Sequence, residues 1–344
     1  MAEQKQLSKG RLLNEKGALH EAGYATSLVK EYDRADVKAS KTRLKEWDYY
    51  LISDGENALA LTIADNGYMG LTSWSLLSFK EKKQQTVSKM SVFPMGKIGL
   101  PRTSERGDVR ASGKGYQMEF LNDGTSRKLS GACAGFLNGE ELRFELTLSD
   151  PPRDSMVIAT PFPKKEKAFY YNQKINCIPA EGFVTLGARR IEFRRESALA
   201  VLDWGRGVWT YSNTWYWSSA SGYAAGRRFG FNLGYGFGDT SAASENMLFL
   251  DGEAHKLSRV EFQIPLKDGR EDYLAPWRFT SDDGRLELAF APLLDRAALM
   301  DFKLLCSDQH QVFGHFSGTV TLDSGEKLPI RELLGFAEKV RNKW

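Results

Sequence analysis

The chain has 344 residues, 42% hydrophobic, 12% aromatic and 26% charged; this excludes a disordered tail, and at about 150 residues per domain the length points to two domains. Lys+Arg 47 against Asp+Glu 44 leave a net charge of +3 and a pI near 8.5, and the charges are interleaved, so the basic stripe of a nucleic-acid binder is absent. Cys133, Cys177 and Cys306 stand far apart and outside any Cys-x-x-Cys, which excludes a disulfide framework or a zinc ribbon.

Residues 1–40 are charged and weakly periodic, and read as a leader into the first strand. They contain no apolar h-region, so no secretory signal and a cytoplasmic location are expected. Lys45-Glu46-Trp47-Asp48-Tyr49-Tyr50 follows, a charged and aromatic segment in which Asp48 is either a candidate acid or a solvated carboxylate at a strand end. Asx-Gly dipeptides then punctuate both halves: Asp54-Gly55, Asn66-Gly67, Asp123-Gly124, Asn138-Gly139, Asp251-Gly252, Asp268-Gly269 and Asp283-Gly284. Both central positions of a type I′ turn need positive φ, so each dipeptide predicts a hairpin. Period-2 runs lie between them, such as Leu142, Phe144, Leu146 and Leu148 alternating with Glu141, Arg143, Glu145 and Thr147. Gly107 to Gly113-Lys114 has the wrong spacing for a phosphate loop, and Gly131-Ala132-Cys133-Ala134-Gly135 leads into a hairpin rather than the helix of a nucleophile elbow. Prolines 151, 152, 161, 163 and 179 predict interrupted strand pairing. A composition change at Arg194-Arg195-Glu196 sets the expected boundary between domains 41–195 and 196–344.

The second half opens on the apolar run Ala198 to Leu202, which ends at Asp203 with Arg206 three residues on. Asp203 reads either as an ion-pair partner or as a general acid whose carboxyl is desolvated among aromatic rings. Read as a strand, residues 209–218 put Trp209, Tyr211, Asn213, Trp215 and Trp217 on one face. In the next strand Phe229, Phe231, Leu233, Tyr235 and Phe237 alternate with Gly230, Asn232, Gly234, Gly236 and Gly238. A row of strand glycines means that something approaches the backbone closely: either the tryptophans lying across it or a ligand in an aromatic-walled cavity. Asn213 and Asn232 would be polar anchors of such a cavity. The uncharged run Gly207 to Gly226 has the length of a membrane span but seven Ser, Thr or Asn residues, so no transmembrane segment is expected, while contact with a membrane surface stays open. His255, just past a turn, is an exposed hairpin residue or lines a barrel mouth. Four histidines in all leave little for a metal site. Leu333, Phe336, Ala337, Val340 and Trp344 fall on one helical stripe and predict a short C-terminal helix.

Lys45 to Tyr50, Leu202-Asp203-Trp204-Gly205-Arg206-Gly207-Val208-Trp209 with Trp215-Tyr216-Trp217, and Glu245 to Gly252 through His255-Lys256-Leu257 resemble a bacterial family catalogued only as a domain of unknown function, over nearly the whole chain. That family is distantly similar to carotenoid hydratase, tocopherol cyclase and AttH-like proteins. The resemblance implies a mainly β, calycin-like fold of two antiparallel lipocalin-like barrels, no cofactor, and an isoprenoid- or polyketide-like ligand held at a barrel mouth or between the barrels. It places Asp203, Trp204 and Arg206 near the start of the second barrel and carries over no catalytic residue. Expected, then, is a protein that binds a lipophilic small molecule through Trp204, Arg206, Trp209, Tyr211, Asn213, Trp215, Trp217, Asn232 and His255. Asp203 or Asp48 would be the acid of a cofactor-independent lyase or isomerase of hydratase or cyclase type. The alternatives are a non-catalytic carrier or sensor, and an interaction protein with an exposed aromatic patch. Oligomeric state is not legible.

Overall fold

Each of the seven Asx-Gly dipeptides joins two paired antiparallel strands. At Asn138-Gly139, Asp251-Gly252 and Asp268-Gly269 both residues take positive φ, the geometry of a type I′ turn. The structure, a computed structural model, describes residues 4–301 and 306–343. In these the hairpins build two large curled antiparallel sheets, so the expected mainly β, two-barrel architecture is the one the chain adopts.

The first sheet runs in the order Lys83–Val92, Met69–Ser78, Asn57–Asp65, Leu44–Ser53, Leu199–Val208, Lys165–Leu186, Glu140–Leu148, Arg127–Leu137, Tyr116–Asn122 and Val109–Gly113. The second runs Glu253–Lys256, Met247–Leu250, Arg227–Tyr235, Ser212–Ala224, Lys327–Lys343, Cys306–Thr321, Leu286–Asp301, Trp277–Ser281 and Val260–Gln263. The chain crosses from one sheet to the other between Val208 and Ser212, where the Asn213 amide donates to the Thr210 carbonyl at 2.8 Å and closes the turn. The leader packs on the first sheet, with Leu12, Leu13 and Tyr32 buried and Gly23–Ala25 paired to Met156–Phe162. No helix among the described residues is long and apolar enough to cross a membrane.

The predicted C-terminal helix is instead the Lys327–Lys343 strand, central in the second sheet between Ser212–Ala224 and Cys306–Thr321. Leu333 and Ala337 join the core inside the second sheet, whereas Phe336 packs toward the first. A strand buried on both faces reads as a near-continuous apolar run, and such a run matches a helical stripe as well as a strand. Trp344, the last member of the predicted stripe, lies outside the described residues.

The two sheets pack face to face. Tyr49, Leu51, Val201 and Phe79 of the first meet Trp217, Phe313 and Phe336 of the second in a buried cluster. A bulge between Ile175 and Ile178, with Cys177 at φ 61°, breaks the register of the long Lys165–Leu186 strand next to the predicted proline interruption. The bulge pushes Asn176 into the second sheet, where its amide donates to Ser219 Oγ at 2.8 Å and to the Phe231 and Ala220 carbonyls at 3.0 and 3.2 Å. This explains part of the glycine row: a Cβ on Gly230 would strike Cys177 Sγ, and one on Gly234 the Glu245 carboxyl. What approaches these glycines is therefore the first sheet and Glu245, not a tryptophan.

Candidate functional site

Strand alternation decides which side chains meet between the sheets. From Leu44–Ser53 and Leu199–Val208, the odd positions Trp47, Tyr49 and Asp203 face the second sheet; from the second sheet Trp215, Trp217, Gln309, Gln311, Glu338 and Asn342 face back. Beyond the packed cluster the faces part around a cavity of about 490 Å³.

Its aromatic end is built on glycine. Gly205 lies directly across from Trp47 in the ladder, and a Cβ there would collide with the indole. Trp47 therefore lies flat on the backbone, stacks on Tyr170 and meets Trp209 edge-on at 5.4 Å, while Trp209 and Trp215 close on Phe237 at 4.8 and 5.3 Å. The aromatic-over-glycine packing thus occurs at Gly205 and not along Gly230 to Gly238.

Lying flat brings the Trp47 indole to Asp203, to which it donates at 3.0 Å; Asn172 donates to the other carboxylate oxygen at 2.6 Å, and the Lys174 ammonium lies 3.6 Å away. Asp203 thus accepts from two neutral donors and lies beside one cation. Lys174 also donates to Asn172 at 2.7 Å, Tyr170 at 2.9 Å and Glu245 at 3.2 Å. Burial opposes its charge, but Asp203 and Glu245 outweigh it and hold Lys174 above the ordinary lysine value.

Glu338, on the opposite wall, is 4% exposed. It accepts from the Trp215 indole at 2.9 Å and from the Gln311 and Gln309 amides at 3.1 and 3.3 Å. Burial pushes its carboxyl up from 4.5 to about 7, with the Asp203 charge adding to the push and the Trp215 hydrogen bond and the Arg296 charge opposing it.

Of the sequence-predicted residues, the cavity gathers Asp203, Trp209, Trp215 and Trp217. Asn232 stands behind it, accepting from the Trp217 indole at 2.7 Å and donating to the Glu245 carbonyl at 2.8 Å. Asp48, Trp204 and Arg206 point to the other face of the first sheet. There the buried Arg206 donates twice to Asp48 at 3.1 Å, caps the Trp47, Gly205 and Pro101 carbonyls at 2.8 Å, and stacks over Trp204. Asn213 closes the crossover turn, Tyr211 is 43% exposed, and His255 lies beside Asp323, away from the cavity. Sequence reasoning missed Tyr49, Lys174, Glu245, Arg296, Gln311 and Glu338. Glu338 was hidden by the helical stripe; as a strand, Phe336, Glu338, Val340 and Asn342 share one face, and a lone carboxylate in that row would have been the signal.

The family described as "Domain of unknown function (DUF2804)" matches residues 3–344. Among solved structures, the chain is similar to an AttH-like protein from Nitrosomonas europaea (14% identity, TM-score 0.50, covering 90% of this chain and 95% of that one). It is similar to CghA in complex with Sch210972 (12%, 0.50, 98% and 97%) and to kievitone hydratase from Nectria haematococca (10%, 0.51, 98% and 98%). At these identities the likeness is one of fold. No curated protein matches the sequence.

Proposed function

The chain belongs to the DUF2804 family, and from that premise we propose that it binds a lipophilic small molecule between its two sheets and exchanges a proton with it through Glu338. The observation that carries this reading is a carboxyl, 4% exposed, on the wall of an aromatic cavity, where burial pushes it up to about 7. An acid works best with a pKa near the working pH, because it is then both protonated often enough and acidic enough. The role foreseen for Asp203 passes to Glu338. Asp203, surrounded by donors, is in this reading a positioning residue that holds Trp47 and Lys174. The apolar walls and the resemblance to isoprenoid- and polyketide-handling proteins support the ligand class, and the fold shared with a hydratase supports hydration, cyclisation or isomerisation as the chemistry.

Mass spectrometry of an extract of the protein purified from its native cell tests the binding; an apolar molecule in stoichiometric amount is expected. Incubating that molecule with wild type and Glu338→Gln tests the chemistry. Turnover, or deuterium uptake from D2O, should fall by about a hundredfold or more in the variant with binding retained. Equal measurable rates would overturn Glu338 as the acid, and no turnover in either protein would leave a carrier.

A further inference from the structure

Tyr49 is 7% exposed, packs edge-on against Trp217 at 6.0 Å and lines the cavity, yet among the described residues its hydroxyl makes no hydrogen bond of regular geometry, the Gln311 side chain being its polar neighbour. A buried hydroxyl left unpaired is costly, so it normally finds a partner. The cavity holds three more such atoms: Trp209 Nε1, Gln311 Oε1 and Asn342 Oδ1. Two donors and two acceptors on cavity-lining side chains are therefore left without a partner among the described residues. We infer that the ligand presents a carbonyl oxygen to the Tyr49 hydroxyl, which makes the substrate class an apolar ketone or enone rather than a plain isoprenoid hydrocarbon.

This rests on the cavity being the ligand site. Within it, Tyr49 is the ladder partner of Asp203, and Gln311 is that of Glu338, and the charges of both carboxyls act on the phenol. Burial raises the phenol to about 12, so it remains a donor throughout the physiological range. Three acidic side chains, Asp203, Glu245 and Glu338, line the cavity against Lys174 and Arg296, which favours a neutral oxygen over a carboxylate.

The test uses 9-fluorenone and fluorene, which share one skeleton and differ by the carbonyl, with the full chain and its Tyr49→Phe variant. Wild type should bind fluorenone about five to ten times more tightly than fluorene, with the C=O stretch of the bound ketone shifted to lower frequency. Tyr49→Phe should abolish both the preference and the shift, keep the affinity for fluorene, and melt at or above the wild-type temperature, since the hydroxyl makes no regular hydrogen bond among the described residues. Equal binding of the two probes without a shift overturns the carbonyl and leaves the apolar cavity standing. Preferential binding of 9-fluorenecarboxylate, insensitive to Tyr49→Phe, overturns it in favour of an anion held by Arg296. A lower melting temperature in the variant, with no carbonyl signal, would mean that the phenol closes onto Gln311. If neither probe binds, the cavity reading falls and the inference with it.

Discussion

Glu338 enters the folded protein with a raised carboxyl because three donor contacts do not replace the water it loses. The folded state thus holds a proton that the unfolded chain gives up near 4.5. Stability from this group is complete below that pH and is lost as pH rises through about 7, by roughly 3 kcal/mol if the whole shift is realised. Urea unfolding at pH 5, 6, 7 and 8 should show that decline in wild type and a flatter profile in Glu338→Gln; identical profiles would put the raised value in doubt. Asp203 accepts from an indole and an amide and lies beside an ammonium. Asp203→Asn should cost about 2 kcal/mol and alter the Trp47 emission, and an unperturbed spectrum would show that the indole is held otherwise.

Gly205 shows how an element's composition serves its neighbour. A methyl group there would meet the Trp47 ring, which Tyr170, Trp209 and Asp203 fix from three sides. Gly205→Ala should therefore destabilise by about 2 kcal/mol or more and weaken ligand binding, read by calorimetry and by quenching of tryptophan emission. The Asp-Trp-Gly-Arg-Gly segment was legible as something special, but not which of its residues face the cavity. The alternation of Asp203 against Trp204 and Arg206 was available in the sequence; which face is the inner one depends on how two distant sheets meet. Hairpins were legible because Asx-Gly is a local signal. The Lys327–Lys343 strand was not, since burial on both faces erases the period-2 pattern.

Across the whole molecule, the bulge at Asn176 joins two sheets that would otherwise touch through side-chain packing and a few polar contacts. Asn176→Ala leaves Ser219 Oγ and two carbonyls without this donor, and should cost about 2–3 kcal/mol. Wild type should melt in one calorimetric transition and the variant in two; one sharp transition of the variant at the wild-type temperature would assign the coupling to the apolar cluster alone. The β character was legible in the turns and the two barrels were implied by the resemblance; of the cavity, the aromatic side with Trp209, Trp215 and Trp217 was foreseen, whereas Lys174, Arg296 and Glu338 were not, because they reach it from strands distant in the chain.

Because each sheet contributes one wall of the cavity, any occupant acts as a strut between them, and its binding energy adds to the resistance of both to melting. At a concentration one hundred times its dissociation constant, a ligand adds about 2.7 kcal/mol. Heat can therefore identify the natural occupant before any reaction is known: a metabolite library screened for upward shifts in melting temperature should rank compounds by how well they brace the two halves.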